Sequence, residues 1–205
     1  MSIVDVMRLP SAGREESSHR FDYKGQHRYI VTLPAFLKRP LFTEQGRVFT
    51  LLGRLRDESA AHGFDVYAYC FLPTRLLLII RGKDEVSDMK IFLSAYRGVT
   101  NELMVLELHH PVWSKRYTER VLRKGEESRD VAKQIFLTPV TEGLVKVPSD
   151  YPFLGSFVVP LAKILAPPTF ARTGHQANRK FPPSKVNRQQ GKPAGRQTNR
   201  REGRR

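Results

Sequence analysis

Apolar and polar positions change rhythm several times along this chain, and each change marks an element. Residues 27–33 (HRYIVTL) mix β-branched and aromatic side chains, which predicts a first strand ended by Pro34. From Phe42-Thr43-Glu44 onward, Val48, Leu51, Leu52, Leu55 and Ala60 keep helical spacing until His62-Gly63 closes the run. Residues 64–71 alternate loosely as a strand, Pro73-Thr74 turns, and residues 75–81 (RLLLIIR) are almost unbroken apolar. Such a run predicts a central strand buried on both faces. Ser87 is the expected N-cap of a second long helix, with Met89, Phe92, Leu93, Tyr96, Val99, Leu103 and Leu106 facing inward until His109-His110-Pro111. A short strand over 117–122 and a third helix over 126–137, stopped by Pro139, complete the pattern.

The order β-α-β-β-α-β plus a C-terminal helix predicts an α+β fold, the ferredoxin-like split βαβ, with one face of its sheet open. Residues 1–24 are polar and aperiodic, which predicts a flexible leader and places the domain at 25–160. Beyond that, Pro, Gly, Asn, Gln and Arg dominate, which predicts a disordered basic C-terminal tail over 168–205. Asp5, Arg8, Arg14, Glu15 and Glu16 interrupt any secretory signal. No stretch nears the ~20 apolar residues of a membrane span. The expected location is the cytoplasm, with the nucleoid as its narrower alternative, and no membrane partner.

Charge sharpens this picture. The chain carries 35 Lys+Arg against 20 Asp+Glu, a net +15. From Arg172 onward, 11 Lys/Arg stand against one acid, Glu202. A surface of this sign attracts polyanions. The arm of Arg172, Arg179, Lys180, Lys185, Arg188, Lys192, Arg196, Arg200, Arg201, Arg204 and Arg205 suits phosphate tracking without base readout. The single cysteine, Cys70, excludes an intrachain disulfide, and its strand neighbours predict a small buried residue.

Four ordered strings carry a narrower reading: AYCFLPTRLLLI at 68–79, PVWSKRY at 111–117, QIFLTPVTEGLV at 134–145 and DYPF at 150–153. On this frame they resemble the REP-associated tyrosine transposases, a branch of the single-tyrosine HUH transposases, over roughly residues 20–157. The first string is similar to the family's A-Y-x-x-M-P-N-H-x-H-L-L and the second to its tryptophan-containing strand lead-in. The third is similar to Y-I-x-x-N-P-x-x-x-G-L-V, and the fourth to the D-Y-P that follows it. The resemblance implies the chemistry of DNA transposition, in which single-stranded DNA is cut and rejoined beside imperfect hairpins. Two histidines on the central strand and a polar residue on the last helix hold a divalent metal there, and a helix tyrosine attacks the phosphate.

This sequence departs from that pattern at each chemical position. Arg75 and Leu77 stand at the two histidine positions, Gln134 at the tyrosine, and Thr138 at the asparagine ligand. Period-two alternation puts Arg75 and Leu77 on one strand face, and i,i+4 spacing puts Gln134 and Thr138 on one helix face. Leucine cannot ligate, a guanidinium repels a cation, and a carboxamide is no nucleophile. The resemblance with these losses implies a pseudoenzyme: a nucleic-acid-binding protein of transposase descent. It would hold single-stranded or hairpin DNA, or RNA, without cleavage and without cofactor or metal. The expected contacts are Arg75, taking a phosphate where the metal stood, together with Lys115, Arg116 and the basic tail. The family's tendency to dimerise implies a homodimer. Two rivals stay open. One is an active transposase or nickase with relocated residues, for which Tyr117, His109-His110 and Asp130 are the available groups. The other is an RNA-associated adaptor.

Overall fold

The structure, a computed structural model, describes residues 22–166. Its strands and α-helices follow as β1 (Arg28–Pro34), α1 (Gln45–Ala61), β2 (Phe64–Leu72), β3 (Arg75–Gly82), α2 (Met89–Leu108), β4 (Thr118–Val121), α3 (Ser128–Thr141), β5 (Leu154–Gly155) and α4 (Leu161–Leu165). The strands make one sheet, ordered β4-β1-β3-β2-β5, with each neighbouring pair antiparallel. Strands β1 and β2 are therefore parallel with β3 between them, and β3 and β4 are parallel with β1 between them. This is the α+β split-βαβ arrangement that the order of elements predicts, with β5 added at one edge.

Burial follows from that order. Leu76, Leu77, Leu78, Ile79 and Ile80 of the central β3 are all 0% exposed. Their alternation sends Leu76, Leu78 and Ile80 to one face and Leu77 and Ile79 to the other. The first face lies under α1 and α2. Phe64 of β2 stacks on Phe92 of α2 at 4.9 Å, and the Tyr96 hydroxyl of α2 donates to the Leu51 carbonyl of α1. Trp113 seals the end of this layer, packed on Phe42 and Tyr96 while its Nε1 donates to Thr100 Oγ1 at 2.8 Å. Each large side chain buried this way contributes about 1.5–3 kcal/mol. Gly82 is required by close approach, because a Cβ there would stand 2.1 Å from the Gly25 carbonyl oxygen.

Several expectations are corrected. The second sheet face is not open: α3 packs across β2 and reaches β3, because Val131, Ala132, Ile135 and Phe136 form an apolar stripe needing a partner. The cap of α2 is Asp88, whose carboxylate accepts from the Lys90 and Ile91 amides. Ser87 is instead buried, its hydroxyl donating to the Gly63 carbonyl at 2.8 Å. Leu103 and Leu106 are exposed, since the inward stripe of α2 runs through Tyr96, Thr100 and Met104, a spacing of four. Pro139 does not stop α3, which continues to Thr141: its missing N–H forfeits one bond to the Ile135 carbonyl, and the helix ends two residues later. Tyr23 and Lys24 belong to the domain and not to the leader. The Tyr23 carbonyl accepts from Met89 N–H at 3.0 Å, and the Lys24 backbone forms an isolated antiparallel β-bridge with Asp88. A stretch that short carries no periodic signal. Residues 1–21 of the leader and the tail, including Arg172, Arg179, Lys180, Lys185, Arg188, Arg196, Arg200 and Arg201, lie outside the described residues.

Candidate nucleic-acid interface

The face of β3 that carries Arg75, Leu77, Ile79 and Arg81 is the one covered by α3. Register fixes what stands beside each: Pro34 and Leu72 flank Arg75, Thr32 and Cys70 flank Leu77, and Ile30 and Ala68 flank Ile79. Leu77 and Cys70 are 0% exposed. Burial pushes the Cys70 thiol up, and the nearby Glu142 carboxylate pushes it further, so it stays a neutral thiol. Glu142 lies at this end of the sheet, paired with Arg75.

Local sequence explains why. The string TPVTEGL ends α3 in a full Schellman cap: Gly143 N–H reaches the Val140 carbonyl and Leu144 N–H the Pro139 carbonyl. Gly143 takes φ +72°, where a glycine is at ease. Glu142 is thereby fixed at the C-cap, where the helix dipole disfavours its negative charge. Arg75 answers that charge. Its Nη2 bonds Glu142 Oε1, and both side chains are about one-third exposed. At roughly 1.5 Å per helix residue and 3.3 Å per strand residue, Thr138 comes level with Leu77 and Gln134 with Ile79.

On this spacing Arg75, Leu77, Thr138 and Gln134 succeed one another along the covered face, and these groups do not fit a divalent cation. Leu77 has no lone pair, and the Arg75 guanidinium already holds Glu142. Thr138 is buried, its hydroxyl donating to the Gln134 carbonyl at 3.2 Å. The buried Gln134 Oε1 has no hydrogen-bond partner among the described residues, but one amide oxygen makes no metal cage.

Lys115 and Arg116 are exposed in the segment between α2 and β4. Ser114 N–H donates to the carbonyl of Pro34, the register partner of Arg75, and Arg97 Nη2 clasps the Ser114 and Lys115 carbonyls. Lys115 and Arg116 therefore sit at the same sheet end as Arg75, roughly two strand spacings or 10 Å across. The groups named for relocated chemistry do not converge there. Asp130 is exposed in the first turn of α3, at the opposite end of the helix. His109 is the left-handed C-cap of α2, and His110 stacks on Phe36. Tyr117 lies under Lys90 and Arg97.

No protein-family model matches the chain, and no curated protein matches it. Among solved structures it is similar to a REP-associated tyrosine transposase bound to a REP hairpin, with a TM-score of 0.57 at 21% identity. The match covers 68% of this chain and 82% of that one. The chain has the fold of that transposase. A crystal structure of a proposed transposase from Deinococcus radiodurans also matches, at 17% identity over 58% of this chain and 94% of that one. Its TM-score of 0.41 is too loose a superposition to compare residues. The sequence reading missed Glu142 as a partner for Arg75, although an acid directly before the cap glycine was a readable signal.

Proposed function

We propose that this chain is a nucleic-acid-binding protein of transposase descent that holds single-stranded or hairpin DNA, or RNA, and does not cut it. One observation carries the reading: where the resemblance places metal and nucleophile, a buried leucine, a carboxamide and an arginine–glutamate pair fill the space under α3. The shared fold with a hairpin-bound transposase and the net +15 support the binding half of the reading. Arg75 serves as an exchangeable anchor. A strand phosphate displaces Glu142 from its guanidinium, and Lys115 and Arg116 hold the chain on the β4 side. The basic tail adds affinity of the kind that salt erodes.

The test is incubation of the protein with a labelled imperfect DNA hairpin, a single strand and an RNA hairpin, with and without magnesium or manganese. Binding in a titration with no new product and no protein-linked strand on a denaturing gel is the expected result. A covalent adduct would overturn it.

A further inference from the structure

Away from Arg75, at the other end of the same sheet face, the structure holds an open cleft of about 620 Å³. It lies between the first turn of α3, strands β1 and β3, and α4. Arg28, Arg81, Arg129 and Lys163 line it, and Glu127 is the one acid among its lining residues. None of the four cations makes an ion pair among the described residues. Asp65 is the register partner of Arg81, yet it pairs with Lys83 at 3.7 Å.

Arg28 and Arg81 are also register partners of each other. Like charges placed directly opposite on neighbouring strands repel, and an anion between them converts that repulsion into attraction. Both guanidinia are held without being neutralised. Arg28 Nη1 donates to Ser128 Oγ at 3.0 Å, and Arg81 Nη1 reaches the Tyr67 hydroxyl at 3.4 Å. Tyr67 lies two residues after Asp65, the register partner of Arg81, so period-two alternation puts it on this face. An arginine has five donors, so each keeps several free. Arg129 Nη2 is likewise steadied by the Ala166 carbonyl at 2.8 Å. The floor is apolar, with Ala132 and Ile164 buried. Prepositioned cations around an apolar floor suit a phosphate that carries an organic group, and the volume falls in the usual range for small-ligand sites.

We infer that this cleft is a second phosphate-binding site, about 20 Å along β3 from Arg75, that takes one phosphorylated nucleotide unit of the bound strand. The assignment of the phosphate to a strand rests on the proposed function; the phosphate chemistry does not.

Thermal unfolding of the full chain tests it, because anions bound alike by the folded and unfolded tail leave Tm unchanged. The probes are pyrophosphate and a mixed-sequence single-stranded oligonucleotide, with the oligonucleotide also followed by fluorescence anisotropy. Either probe at about five times its Kd should raise Tm by roughly 2–4 °C. The exposed double variant Arg129→Gln/Lys163→Gln, and separately Arg81→Gln, should lose most of that rise. Arg54→Gln/Arg56→Gln on α1, with the same charge change, should keep it. If the cleft variants keep the full rise, or pyrophosphate leaves the parent unmoved, the cleft is not a phosphate site, whatever the anisotropy shows. If pyrophosphate acts through the cleft but no oligonucleotide binds, the cleft serves a free phosphate and the nucleic-acid reading fails instead.

Discussion

The two ends of the β3 face under α3 carry the same residue type and treat it in opposite ways. At one end Arg75 meets Glu142 and is neutralised; at the other Arg81 faces Arg28 and is not. They stand six positions apart on one strand. The difference comes from how α3 ends. Its C-terminal cap fixes a carboxylate over the sheet, whereas at its N-terminal approach Glu126 turns away to Arg120, with two bonds of 2.7 and 2.9 Å. Each acid takes one arginine, and the pair at the cleft is left over. A sheet face can thus be closed at one end and open to anions at the other, although strand composition is nearly symmetrical.

The largest effect should come from testing whether the middle of that face is sealed. Leu77→Ala should lower unfolding free energy in urea by about 2–5 kcal/mol, the range for a buried leucine. Arg81→Ala should change it by less than about 1 kcal/mol, because it also removes a like-charge neighbour. Equal losses would erase the contrast between sealed centre and open end.

Truncation before Arg172 comes next, and it exposes the domain's own binding. If about half of the tail's charges meet phosphates of a single strand, the log–log salt slope should fall by roughly 3–4 units, at ~0.7 per contact. An unchanged slope means that the tail touches no nucleic acid.

In that shortened protein the Arg75 end can be read directly. Arg75→Ala should weaken oligonucleotide binding by about 1 kcal/mol, less than a free anchor would give, because a phosphate must first displace Glu142. Glu142→Gln should tighten binding two- to fivefold, roughly 0.4–1 kcal/mol by the affinity scale. If Glu142→Gln does nothing while Arg75→Ala still weakens binding, Glu142 is not a gate.

The smallest effect belongs to Glu126. Its hydrogen bonds from Arg120, and then from the Arg123 amide, hold its carboxyl below the usual range. A carboxyl lowered in the folded state stabilises above its unfolded value, and that share is lost as pH falls through the folded value. Glu126→Gln should therefore cost up to about 1 kcal/mol at neutral pH. Parent and variant should converge on acidification below roughly pH 4. A gap that persists at low pH would mean that packing, not charge, ties the approach to α3.

The sequence was most legible where one residue decides one thing. The unbroken RLLLIIR run meant a strand covered on both sides, and it is. Period two put Arg75 and Leu77 on one face. Less legible were features that depend on a competitor nearby. Ser87 was the expected cap, yet its hydroxyl donates to the Gly63 carbonyl and Asp88 caps the helix. Leu103 and Leu106 fit an inward stripe within tolerance, yet a spacing of four steers the last turns of α2 away from the sheet. Strand β5 is two residues long and helix α4 five, too short for any period to register.

What the chain determined alone was local: alternation, charge sign, and the lack of a ligand at Leu77 and of a nucleophile at Gln134. Those depend on residue type and near neighbours, so they can be read without coordinates. Which arginine would be neutralised could not be read. That depends on 67 residues of separation between Arg75 and Glu142, and on the direction in which α3 crosses the sheet. The cleft likewise joins Arg28, Arg81, Arg129 and Lys163 from four separate elements. Electrostatic partnership is a matter of distance in space, and only packing the helix onto the sheet sets that distance.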